Sequence, residues 1–157
     1  MSDSIELLRR VGQQRAAPRE EDDETSLASF GYLRGLSAQS LNLELRRAGE
    51  GDSVSFPYSW LGPSRHHPSR GIVLLFSGSE LYLVTLRGRN LNRLTEGGMS
   101  LYDRGILRAR VTWVREVPRP ESEALGPDAC AVDRIEVRAV TPEQAAEALG
   151  MAPVLPK

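Results

Sequence analysis

The chain has 157 residues, 40% of them hydrophobic and 26% charged, with a formal net charge of −1. That length and balance fit one domain with a real core plus terminal extensions, and exclude a fibrous repeat or a chain too polar to fold. No apolar run approaches the ~18–20 residues of a membrane-spanning helix, and the single cysteine excludes a disulfide framework within the chain.

The chain opens on Met1-Ser2-Asp3-Ser4, with no basic stretch leading into a long apolar one, so a cytoplasmic protein without a membrane partner is expected. Asp3 is placed to cap a short helix with Glu6 three positions on, and Ile5, Leu8 and Val11 share one face. Such a segment, roughly eight to ten residues long, is too short to hold alone in water and has to dock on its own domain or on a partner. Residues 12–25 then turn polar and run into Glu20-Glu21-Asp22-Asp23-Glu24, which has no apolar residue to give to a core. Residues 1–26 therefore read as a flexible acidic tail, and residues 27–150 as a single domain.

Within that domain Leu41, Leu43 and Leu45 alternate with Asn42, Glu44 and Arg46, the period of a half-buried strand. A loop over residues 48–52 leads to a return strand through Val54, Phe56 and Tyr58. Pro57 lacks an N–H and puts that strand at a sheet edge. Trp60 to Arg70 reads as an irregular loop. The runs Ile72 to Phe76 and Leu81 to Leu86 are apolar on both faces, which predicts a central hairpin covered on each side. Asn90 is expected to cap a helical segment through Leu91 and Leu94, followed by a turn from Ser100 to Gly105. Leu107 to Val117 alternates again, with Arg108 and Arg110 on its polar face. Glu121 to Ala131 reads as a loop and Ile135, Val137 and Ala139 as a strand. Thr141-Pro142-Glu143-Gln144 is a strong helix start and Gly150 a stop, leaving residues 151–157 as a tail. The expected fold is α+β: a mostly antiparallel curved sheet, or a partly open small barrel, of about six strands with a C-terminal helix and short helical connections.

The chemistry-bearing residues are sparse. His66 and His67 are the only histidines and are adjacent, which is not a zinc-ligand spacing. With Arg70 they form a secondary candidate group. Cys130 sits between Asp128 and Asp133, an environment that does not activate a thiol, and it reads as a small, buried side chain. No glycine-rich phosphate loop is present. The arginines are more distinctive: residues 41–120 carry twelve against seven acids, whereas the segments before and after are net acidic. Arg87, Arg89, Asn90, Arg93, Arg108 and Arg110 are the candidate surface for an anionic ligand or a partner, with guanidinium forks suited to phosphate or carboxylate. Over Val84-Thr85-Leu86-Arg87-Gly88 the chain resembles the strand-ending Arg-Gly element of Sm-like RNA-binding folds. Arg89 and Arg93 are similar in spacing to the paired arginines of PilZ domains, whose second motif has no counterpart here. Neither resemblance carries a function across. The expectation is a non-catalytic, intracellular protein–protein interaction module needing no cofactor or metal. The alternative is a domain binding nucleic acid or a phosphate ligand through the arginines. Self-association is left open.

Overall fold

A computed structural model describes residues 23–35, 37–49 and 53–151. The cap at Asp3, the triplet Ile5, Leu8 and Val11, and the linker up to residue 22 lie outside the described residues. The strands are β1 (Glu24–Ser26), β2 (Phe30–Leu33), β3 (Asn42–Arg46), β4 (Ser53–Pro57), β5 (Leu61–His67), β6 (Gly71–Ser77), β7 (Leu81–Arg89), β8 (Val111–Arg115) and β9 (Ala131–Val140). They form two sheets, ordered β1-β2-β8-β3-β4 and β5-β6-β7-β9. Every pairing is antiparallel except β3 with β8, which run parallel with Glu44 beside Trp113. Two α-helices, α1 (Arg119–Ala124) and α2 (Pro142–Ala148), and three short helical turns complete the described elements. No helix among the described residues is long and apolar enough to cross a membrane.

Side-chain alternation decides which face of each strand is buried. Leu43 and Leu45 of β3 are fully buried, whereas Leu41 lies outside the strand and is 85% exposed. The first sheet sends Phe30, Leu43, Leu45, Phe56, Val111 and Val114 into the core, and the second sends Ile72, Leu74, Phe76, Val84, Leu86 and Ile135. The two sheets therefore pack face to face, with Phe56 stacked on Phe76 at 4.6 Å between ring centroids. Each such side chain contributes about 1.5–3 kcal/mol on burial, so this shared layer is the main source of stability.

The hairpin of β6 and β7 is central, as its two-sided apolarity requires. Its outward residues Val73 and Leu83 pack under the C-terminal helix with Leu149. The cap of α2 forms as the sequence dictates: the Gln144 N–H donates to Thr141 Oγ1 at 3.2 Å, and the Thr141 N–H donates to Gln144 Oε1 at 2.9 Å. Pro57 sits on β4, an edge of the first sheet.

Several expectations need correction. The strands number nine among the described residues, in two open sheets rather than one sheet or a barrel. The additional strands were hidden because they are short or polar. Trp60 to Arg70 is not a loop: a 3₁₀ turn over Tyr58–Trp60 leads into β5, where Pro63 tolerates an edge position. The folded domain starts before Leu27, since β1 pairs with β2 from Glu24. Asp23 there forms an ion pair with Arg34, and the Glu24 carboxylate accepts a hydrogen bond from the Trp113 indole. Asn90 caps no helix and adopts φ of 55° in a turn. Arg108 and Arg110 do not share a strand face. Ile106–Arg108 form a 3₁₀ turn, Ala109 is left-handed with φ of 55°, and the strand begins only at Val111. Ser100 is the cause, because its Oγ accepts from the Arg104 N–H and winds residues 101–105 into one wide helical turn that buries Ile106. Finally, part of the expected loop 121–131 is α1, where Pro120 occupies the first turn, a position that tolerates the missing N–H.

Candidate functional site

The six arginine-surface residues do not assemble into one anion-binding surface. Gly88 lets β7 approach β9 closely, since a Cβ there would stand 1.9 Å from the Ala131 carbonyl oxygen. The chain then runs directly beneath the segment after α1, and three successive candidates are absorbed by it. Arg89 donates to Ser122 Oγ at 2.8 Å, to the Ser122 carbonyl at 2.6 Å and to the Gly126 carbonyl at 2.8 Å. Asn90 Nδ2 donates to the carbonyls of Pro127 and Ala129, both at 2.9 Å. Arg93 pairs with Asp128 at 3.0 Å. These residues hold the α1–β9 connection in place; a cation beside the last carbonyls of a short helix also satisfies groups the helix cannot.

The others are scattered. Arg110 donates twice to the Leu33 carbonyl, at 3.1 and 2.7 Å, and ties β8 to β2. Arg108 is exposed on its 3₁₀ turn, and Arg87 is exposed on the outer face of the second sheet. His66 and His67 point to opposite faces of β5. His66 lies against Tyr102, 5.8 Å between ring centroids, and His67 Nδ1 accepts from the Ser69 N–H at 3.2 Å. Arg70 lies in the exposed turn that follows. Among the described residues no three His, Cys, Asp or Glu side chains form a set that could hold a metal ion.

An apolar concavity lies elsewhere, at the open side of the sandwich beside β1. It is a cleft of about 630 Å³ lined by Leu27, Tyr32, Leu94, Gly97, Leu125 and Cys130 among others. Leu94 and Leu125 are among the large apolar side chains left exposed, at 54% and 37%. Arg93, Glu96 and Asp128 give the same cleft a charged rim. Cys130 is not a nucleophile waiting there: burial pushes its thiol up to about 12, only partly opposed by the Arg89 guanidinium. Buried Ser29 fixes the cleft wall by donating to the Cys130 carbonyl at 3.1 Å and accepting from the Val132 N–H at 3.0 Å.

The strand bordering this cleft has unused hydrogen-bonding capacity. The Arg34 N–H donates to the Asp23 carbonyl, and the Leu27 N–H to the Phe30 carbonyl. Backbone groups of Asp23, Thr25 and Leu27 therefore face β2, and those of Glu24 and Ser26 face away. Among the described residues β1 is the end of its sheet, with nothing paired to that side. Sequence reasoning missed Glu24, Ser26, Leu27, Leu94 and Leu125. The one available signal was the run of leucines at positions whose neighbours are too polar to share a core. Comparison with family models, with curated proteins and with solved structures gave no match.

Proposed function

We propose that the protein is a non-catalytic docking domain that takes an extended segment of a partner protein along the outer edge of β1. The observation that carries this reading is the coincidence of two features at one place. Backbone N–H and C=O groups of Glu24 and Ser26 face outward from the edge strand, and the apolar cleft with Leu94 and Leu125 lies immediately below it. A strand added there gains main-chain hydrogen bonds, and every second side chain enters the cleft. The charged rim of Arg93, Glu96 and Asp128 offers both signs to the flanks of such a segment. The arginine-surface alternative is the weaker reading, because Arg89, Arg93 and Arg110 each already bond to groups within the domain.

Selection from a random peptide library against the full-length protein tests this. Enriched peptides are expected to carry apolar residues at alternate positions. Their binding should be lost on Leu94→Asp or Leu125→Asp, and on N-methylation of the peptide nitrogens that face β1. Enriched peptides that bind both variants as well as the parent would sink the proposal.

A further inference from the structure

The outer face of the second sheet carries an arrangement that neither the core nor the β1 cleft uses. Arg87 of β7 and Arg134 of β9 are directly opposite in the antiparallel register. Like charges facing each other across strands are destabilising, with Cβ atoms only ~4.5–5.5 Å apart. Arg134 is partly offset by Glu136, its Nε 2.9 Å from the carboxylate, whereas Arg87 has no bonded partner among the described residues. Gly71 of β6 lies beside Arg87, next to the Ile72–Leu86 pair, and is itself opposite His67 of β5. Gly71 has no side chain and tolerates none: φ is 91°, and a Cβ would stand 2.1 Å from the Leu86 carbonyl oxygen. At Gly71, therefore, no side chain stands between His67 and Arg87 in this row. Because His67 Nδ1 accepts from the Ser69 N–H, the ring proton of that tautomer sits on Nε2, which is a donor.

We propose that this row is a binding site for a phosphate monoester group, held by Arg87 and Arg134 with His67 Nε2 as a third donor across Gly71. Paired guanidinium forks match the geometry and charge of a phosphate dianion, and its arrival would relieve the repulsion between them. The flanking rows on this face carry Arg65, Val73, Thr85 and Glu136 on one side. Leu75, Leu83 and Arg138 follow beyond them. His67 is the one aromatic ring among the residues named on this face, so a nucleic-acid strand would gain little stacking here and an isolated phosphate group is favoured. Glu136 limits the surplus positive charge on this face, which also argues for one small anion rather than a polyanion.

Titration of the full-length protein with inorganic phosphate at constant ionic strength, against chloride, tests the site by amide and arginine Nε chemical shifts. Saturable shifts at Gly71, Arg87 and Arg134 are expected, with a dissociation constant on the order of 1–10 mM for so exposed a site. Arg87→Gln and Arg134→Gln should each weaken binding by about tenfold with an otherwise unchanged amide spectrum, and Arg108→Gln should leave it unchanged. Shifts that chloride reproduces, or that Arg108→Gln weakens equally, would overturn the proposal. A phosphoserine peptide and a hexose monophosphate then distinguish a modified protein from a free metabolite as the source. Tighter binding than inorganic phosphate by either supports the site, and by neither contradicts it.

Discussion

Arg89 shows how a residue that reads as a binding group becomes a structural one. Its three hydrogen bonds end on atoms 33 and 37 positions away, a relation no local pattern encodes. Arg89→Met keeps the aliphatic stem and removes the donors. It should cost about 1.5–3 kcal/mol in urea unfolding, the range for hydrogen bonds to a charged group. An unchanged stability would return Arg89 to the functional candidates. Gly88 beside it was legible as a glycine after a strand, but not as the contact with Ala131 that makes it obligatory. Cys130 gives a pH prediction. Burial holds its folded pKa near 12, above the unfolded ~8.5, so the protonated thiol stabilises the fold. That contribution is fully present below pH ~8.5 and is lost as pH rises toward 12, on the order of 1–2 kcal/mol by pH 10. Cys130→Ala should flatten the stability profile between pH 8 and 10. A variant that loses stability over that window as steeply as the parent would refute the assignment.

At the level of elements, what the sequence made legible followed from local chemistry. The hairpins β3–β4 and β6–β7 announce themselves by alternation or by two-sided apolarity, and α2 by its capping box. The strands β1 and β5 were not legible, because Glu24-Thr25-Ser26 and the Gly62-Pro63 region lack the apolar period that marks a strand. Their pairing is decided by distant strands. In the 107–117 run only Val111–Arg115 is strand, because the Ser100-capped turn winds the residues before it into helical turns, which no propensity signals. Two predictions belong here. The slowest-exchanging amides should lie in β6 and β7, at Val73, Leu74 and Val84, which the core covers on one face and α2 on the other. Faster exchange there than in the edge strand β4 would contradict the packing described. Thr141→Ala should remove the reciprocal cap, costing about 1 kcal/mol, and loosen Leu149 from Val73 and Leu83. A thermal melt unchanged by that substitution would show that α2 contributes little to covering the sheet.

At the scale of the whole molecule, two open sheets share one apolar layer, and an open sheet leaves edges that must be managed. The edge strand β4 ends in a proline and β5 contains one; β1 and β9 carry none, and of these two β1 borders the apolar cleft of Leu94 and Leu125. That combination is the ground on which the β1 side is proposed as the docking edge, and it was invisible in the sequence because β1 itself was. The most direct measurement is residue-resolved amide exchange of the full-length protein with and without a selected peptide. The account predicts new protection at Glu24 and Ser26, whose N–H groups face away from β2, with little change at Thr25 and Leu27, which already face it. Protection confined to β4 or β5, or appearing equally at all four residues of the β1 segment, would contradict strand addition at this edge.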